Sequence, residues 1–138
     1  MKRIITLVIV FTIALASVCW ANEIVGVWKF TGPDAKAESE EDVQTLEGVY
    51  EGTEKYLSFN EDGRAATTNV VDNQLEYKIG TWIQLTPEYY LFSYTFYSEK
   101  LEKNLDIENI ISIVDGSLRL RQFDSGDTYL YEVYEKIE

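Results

Sequence analysis

The sequence predicts an all-β protein, an antiparallel meander of about eight strands that closes into an up-and-down barrel. Three observations predict it. Segment after segment alternates apolar and polar residues with the period of two that a strand imposes on its side chains. Clusters of Gly, Asp, Asn and Pro separate these segments at short intervals. No stretch keeps a 3.6-residue apolar period over ten residues. Strands joined by short turns pair with their neighbours, and a long twisted meander tends to close because closure removes its exposed edges. Eight strands leave an interior wide enough for packed side chains or for one small ligand.

The chain has 138 residues. Residues 1–21 have the layout of a secretory signal peptide: Lys2 and Arg3, an apolar run from Ile4 to Ala16, then small residues up to Ala21. The apolar run is shorter than the ~20 residues of a membrane span. Cleavage is expected after Ala21, leaving residues 22–138 as one domain; a retained anchor helix is the alternative. Cys19 raises a further option, lipidation, but Val18 stands where a lipoprotein signal needs a small residue. The expectation is an exported protein, periplasmic or extracellular, with lipoprotein attachment through Cys19 as the less favoured route. Without the leader no cysteine remains, so the core must hold without disulfides.

The first strand is expected over Asn22–Thr31, with Ile24, Gly26, Trp28 and Phe30 on one face. Gly26 leaves room beside the indole of Trp28 on a curved sheet. Gly32-Pro33-Asp34 reads as the turn that ends it. The acidic stretch Ala35–Asp42 reads as one helical turn or a loop in a long connection over one mouth of the fold, and Gly48–Glu51 as a short strand. Lys55–Asn60, Arg64–Val71, Leu75–Leu85, Tyr89–Tyr97, Leu105–Val114, Leu118–Phe123 and Thr128–Ile137 follow as strands. They are separated by turns at Asp62-Gly63, Asp72-Asn73, Thr86-Pro87-Glu88, Ser98–Asn104, Asp115-Gly116 and Asp124–Asp127.

Taken together, Ile24-Val-Gly-Val-Trp28, Tyr56-Leu-Ser-Phe-Asn-Glu-Asp-Gly63, Gly80-Thr-Trp82, the Asp115-Gly116 hairpin and Tyr129-Leu-Tyr131 resemble, in order and spacing, the bacterial secreted lipocalin-like domain proteins, which are calycin-type barrels. The long helix of eukaryotic lipocalins before the last strand is missing, and so is a clear Thr-Asp-Tyr motif. The resemblance implies a lipocalin-like barrel; it does not supply a ligand.

Composition excludes several classes. There is no His, and no Cys after cleavage, which removes Ser-His-Asp and Cys-His catalysis and thiolate or imidazole metal sites. There is no Gly-rich phosphate loop. Carboxylate pairs are inevitable among 24 acidic residues and so point to nothing, and the oxygen-rich turns are explained by turn chemistry rather than calcium. No catalytic residue, metal or cofactor is expected. Without Lys2 and Arg3 the chain has 10 basic against 24 acidic residues, a net −14, which argues against nucleic acid and anionic membranes.

What remains is aromatic. Tyr90, Phe92, Tyr94 and Phe96 share one face of a strand. With Trp28, Tyr77, Trp82, Tyr129 and Tyr131 they are the expected lining of a pocket for a small hydrophobic or amphipathic ligand; cross-strand packing is the plainer reading of the same rings. Arg119 or Arg121 is expected to stack on Trp28 at the barrel floor. The first functional expectation is a binding barrel. Its rival is a non-enzymatic envelope interaction or structural module with a filled interior and an unknown protein partner.

Overall fold

The computed structural model describes residues 23–138, so the expected leader, its expected cleavage point and Cys19 lie outside the described residues. Eight antiparallel strands close in sequence order into a barrel: β1 (Gly26–Lys36), β2 (Glu54–Phe59), β3 (Arg64–Val71), β4 (Gln74–Gln84), β5 (Tyr89–Ser98), β6 (Lys103–Val114), β7 (Ser117–Asp124) and β8 (Tyr129–Lys136), with β8 pairing back onto β1. This is the up-and-down architecture of the lipocalin and calycin type. One short helix, α1 (Glu40–Gly48), lies between β1 and β2.

Three local expectations are corrected. Gly32-Pro33 does not end β1; the strand absorbs a bulge between Phe30 and Gly32 and continues to Lys36 along β8. Beyond Lys29 it has no β2 partner, so Pro33 lies in an edge-like stretch that tolerates a missing N–H. The acidic connection is a two-and-a-half-turn helix. The Ser39 hydroxyl caps it by accepting from the Asp42 N–H at 3.2 Å, and Glu40, Glu41 and Asp42 sit where the helix dipole favours negative charge. Gly48–Glu51 is the end of that helix and the turn after it, not a strand.

The hairpin turns fall where the turn residues stand. Asp72 and Asn73 both take positive φ (52° and 62°), as do Asp115 and Gly116 (52° and 83°), the two-residue geometry that matches strand twist. Gly26 has φ of +139°, and a Cβ there would overlap the Glu138 carbonyl oxygen. That carbonyl accepts from the Val27 N–H at 3.1 Å, so only glycine lets the C-terminal residues tuck under β1. Gly80 answers a different need: a side chain would strike the Ser93 carbonyl where β4 and β5 cross closely.

The barrel has two unlike ends. At the floor, Ile24, Trp28, Leu57, Phe59, Ala65, Trp82, Tyr90, Phe92, Ile111, Leu118, Leu120 and Tyr134 pack into one buried cluster. The indole N–H groups of Trp28 and Trp82 donate to the carbonyls of Ile24 (2.9 Å) and Asn60 (2.8 Å), so the floor buries its rings without orphaned donors. At the other end the strands part. Pairing of β1 with β2 stops at Lys29/Tyr56, of β4 with β5 at Gly80/Tyr94, and of β6 with β7 at Ile111/Leu120. All three partings open toward the end that carries α1, which is the mouth.

Candidate functional site

The inner face follows from register. On β5, Tyr90 and Phe92 are buried and Tyr94 and Phe96 half-buried, so the aromatic stripe faces inward. Rings run in contact from floor to mouth: Trp82 to Phe59 (6.4 Å between centroids), Phe59 to Phe92 (6.0 Å), Phe92 to Tyr94 (5.2 Å) and Tyr94 to Phe96 (6.2 Å). Lys78, on the inner face of β4, holds its ammonium 4.7 Å from the Phe96 ring and 5.5 Å from that of Tyr94. Among the described residues no carboxylate pairs with it.

Of the predicted lining residues, the structure brings together Trp28, Trp82, Tyr90, Phe92, Tyr94 and Phe96, the first four as solid floor. It puts three elsewhere. Tyr77 is 62 % exposed, because it alternates with inward Lys78 and Glu76 on β4. Tyr129 and Tyr131 alternate with buried Leu130, Glu132 and Tyr134 on β8 and face outward. On that outer wall Tyr131 donates to Asp124 at 2.6 Å, which lowers the carboxyl's pKa and raises the phenol's. The expected arginine on Trp28 is also corrected. Arg119 stacks over Tyr131 at 4.6 Å and pairs with Asp34 at 2.7 Å; the cation over Trp28 is Lys136, at 5.6 Å.

The feature the sequence reading missed lies above the floor. Glu132 is only 2 % exposed, and its carboxylate accepts from four side chains. The Lys55 ammonium reaches both oxygens (2.9 and 3.0 Å). Tyr134 donates at 2.7 Å, Tyr50 at 3.0 Å and Gln122 at 2.9 Å. Burial, reinforced by the Glu132 charge, pushes the Tyr50 and Tyr134 hydroxyls well above the usual phenol range, and Tyr94 upward as well. Tyr50 comes from the turn after α1, and its ring also contacts Phe30 at 5.3 Å. The helix itself buries no residue, so Tyr50 ties that whole connection to the lumen.

Beside this cluster a cavity of about 510 Å³ opens at the mouth, lined by the α1–β2 turn, Lys55, Asn69, Asp72, Gln122 and Glu132. The Asn69 Oδ1 is buried and, among the described residues, has no hydrogen-bond partner. The signal for this centre was a glutamate on the otherwise apolar Leu130/Tyr134 face of the last strand. No group of His, Cys, Asp or Glu among the described residues is placed to hold a metal ion.

The fold and this two-ended lumen define a calycin-like barrel. In comparison with solved structures, the chain is similar to As-p18, an extracellular fatty acid binding protein. The TM-score is 0.52 at 9 % identity, covering 84 % of this chain and 97 % of that one. At that identity the likeness is one of fold. No family model and no curated protein sequence matches the chain.

Proposed function

We propose that the protein is an exported, non-enzymatic carrier that holds one small hydrophobic or amphipathic ligand in the mouth half of its barrel. One observation carries this reading: the floor is packed solid, while the mouth flares into a cavity of about 510 Å³, within the range of small-molecule sites. The ladder of rings from Phe92 through Tyr94 to Phe96 supplies an apolar inner wall on β5, and the Glu132 cluster supplies fixed polar groups beside the cavity. The fatty acid binding of As-p18 supports a hydrophobic cargo. The leader at residues 1–21 and the extracellular character of that neighbour support export.

Native mass spectrometry of the mature protein, purified gently from its own source and compared with its denatured mass, tests the reading. A reproducible non-covalent adduct is expected. An unliganded mass would count against a carrier. The denatured mass also reports whether Cys19 was removed or lipidated.

The second reading, an interaction module, has its own observation. Leu75, Tyr77, Ile79 and Ile83 on the outer face of β4, with Leu85 just past its end, form an exposed apolar row, larger than scattered surface residues require. Under this reading Tyr77→Ser with Ile79→Ser abolishes a protein–protein complex and leaves ligand adducts untouched.

A further inference from the structure

We propose that the outer face of β4 docks a second copy of this chain, row against row, in a side-by-side two-fold dimer. The inference rests on the interaction reading of that row and names its partner. It leaves the lumen free, so the carrier reading stands or falls without it.

β4 is built inside out. Its register with β3 and β5 turns Glu76 and Lys78 toward the lumen and Leu75, Tyr77, Ile79 and Ile83 toward solvent. With Leu85 and Tyr89 at the turn that follows, these apolar side chains are between 44 % and 73 % exposed. The flanking strands continue the face without charge: β3 presents Ala66, Thr68 and Val70 outward, and β5 presents Leu91, Ser93 and Thr95. The one charged residue on these three outer faces is Arg64, at the floor end, where Asp62 pairs with it at 2.7 Å. A chain with 24 acidic residues thus places none on three adjacent strand faces. The acids stand around them, at Asp72 and Glu88 in the turns and at Asp106 and Glu108 on β6.

That is the anatomy of an interface, an uncharged apolar centre inside a polar rim. The six apolar side chains expose roughly 700 Å², close to the area of about 800 Å² that one partner gives to a standard complex. Composition selects the partner. Homodimer interfaces are the most apolar class. An unlike partner is steered and discriminated largely by charge, and this row offers none. A second copy brings the same charge-free row, and a two-fold axis sets one against the other. The net negative charge of each copy opposes approach, but the acids lie at the rim, where a screening length of about 8 Å at physiological salt weakens their repulsion. All eight strands of the barrel come from one chain, so the monomer is complete and the association is reversible.

Sedimentation velocity of the mature protein, from about 1 to about 200 μM and at low and high NaCl, tests this. The sedimenting mass is expected to rise from one chain to two, with its midpoint in the micromolar range. High salt should tighten the dimer, because it screens the repulsion and leaves apolar burial in place. Tyr77→Ser with Ile79→Ser, checked for native near-UV circular dichroism, should weaken the dimer at least about a hundredfold. Leu101→Ser, at an exposed apolar residue off the row, should leave it unchanged. Wild-type protein that stays monomeric at the highest concentration would overturn the inference. The interaction reading would survive that result if a complex with an unlike protein were lost in the double variant; flotation of the monomer with phosphatidylcholine vesicles would instead assign the row to lipid. A dimer that the double variant leaves intact, or that Leu101→Ser also abolishes, would remove the assignment to β4. A dimer that loosens at high salt would refute its apolar basis.

Discussion

Replacing Lys55 by methionine isolates the Glu132 centre. The side chains of Lys55 and Glu132 are 17 % and 3 % exposed, so the substitution leaves a carboxylate in the barrel wall with its counter-ion gone and only three neutral donors. Breaking a buried ion pair from one side costs about 3–5 kcal/mol. For a domain of about 116 residues the entropy of unfolding is roughly 0.24 kcal/mol per kelvin, so Tm should fall by about 12–20 °C. Lys55→Met combined with Glu132→Gln removes both charges. It keeps an amide oxygen for Tyr50 and Tyr134 and should recover most of the loss, because the cost lies in the unpaired charge rather than in the absent pair. Differential scanning calorimetry of the wild type, both single variants and the double variant reads the cycle. A fall of under about 1 kcal/mol in Lys55→Met, the size of a surface pair, would refute the argument that this carboxylate is shielded from water.

The tyrosines predict alkaline behaviour. The folded pKa values of Tyr50, Tyr94 and Tyr134 are raised, chiefly by burial, so the folded state holds protons that the unfolded chain releases above about pH 10. Stability is full below that pH and should fall by about 1.4 kcal/mol per pH unit for the deeply buried Tyr134 alone. The phenolate absorbance of Tyr50, Tyr94 and Tyr134 should appear in step with unfolding by circular dichroism; ionisation of all ten tyrosines ahead of unfolding would contradict it. Phe92→Ala, in the packed floor, should cost about 3–5 kcal/mol in chemical denaturation, whereas Tyr77→Ala on the outer wall should change stability by under about 0.5 kcal/mol. Gly26→Ala should destabilise by at least about 2 kcal/mol, because it adds the clash with the Glu138 carbonyl to an unfavourable positive φ. A neutral Gly26→Ala would mean that the C-terminal residues do not dock against β1.

Strand order and closure were legible because short turns force neighbours to pair, and Asp72-Asn73 and Asp115-Gly116 carry the residues that their positive φ requires. The floor was half legible. Trp28 and the Tyr90–Phe96 stripe face inward, although alternation alone leaves the orientation of the stripe open, and β4 was misread. Its more apolar face, Leu75, Tyr77 and Ile79, is the exposed one, while the lumen side carries Glu76, Lys78 and Gly80. Summed hydrophobicity picks the wrong face wherever a lumen is polar. Tyr77 and Trp82 are five positions apart and cannot share a face of a regular strand, so one of them had to be outside. The same error on β8 favoured Tyr129 and Tyr131 and hid Glu132. The helix α1 was obscured by its lack of a buried face; its signal was the Ser39 cap followed by three acidic residues rather than periodicity. The ion pair joins residues 77 positions apart, which only the closed topology brings together.

The three partings divide the upper barrel into leaves: β7 with β8 and β1, β2 with β3 and β4, and β5 with β6. Within each leaf the pairing runs on to the rim, past bulges at Phe30/Gly32 and Arg121/Phe123 in the β7–β8–β1 leaf, and neighbouring leaves are sewn together only near the base. Above the base, therefore, spreading the leaves apart breaks no backbone hydrogen bond of the strand ladders. Tyr50 crosses from the long connection above to the leaf that bears Glu132, as a stitch across one of the slits.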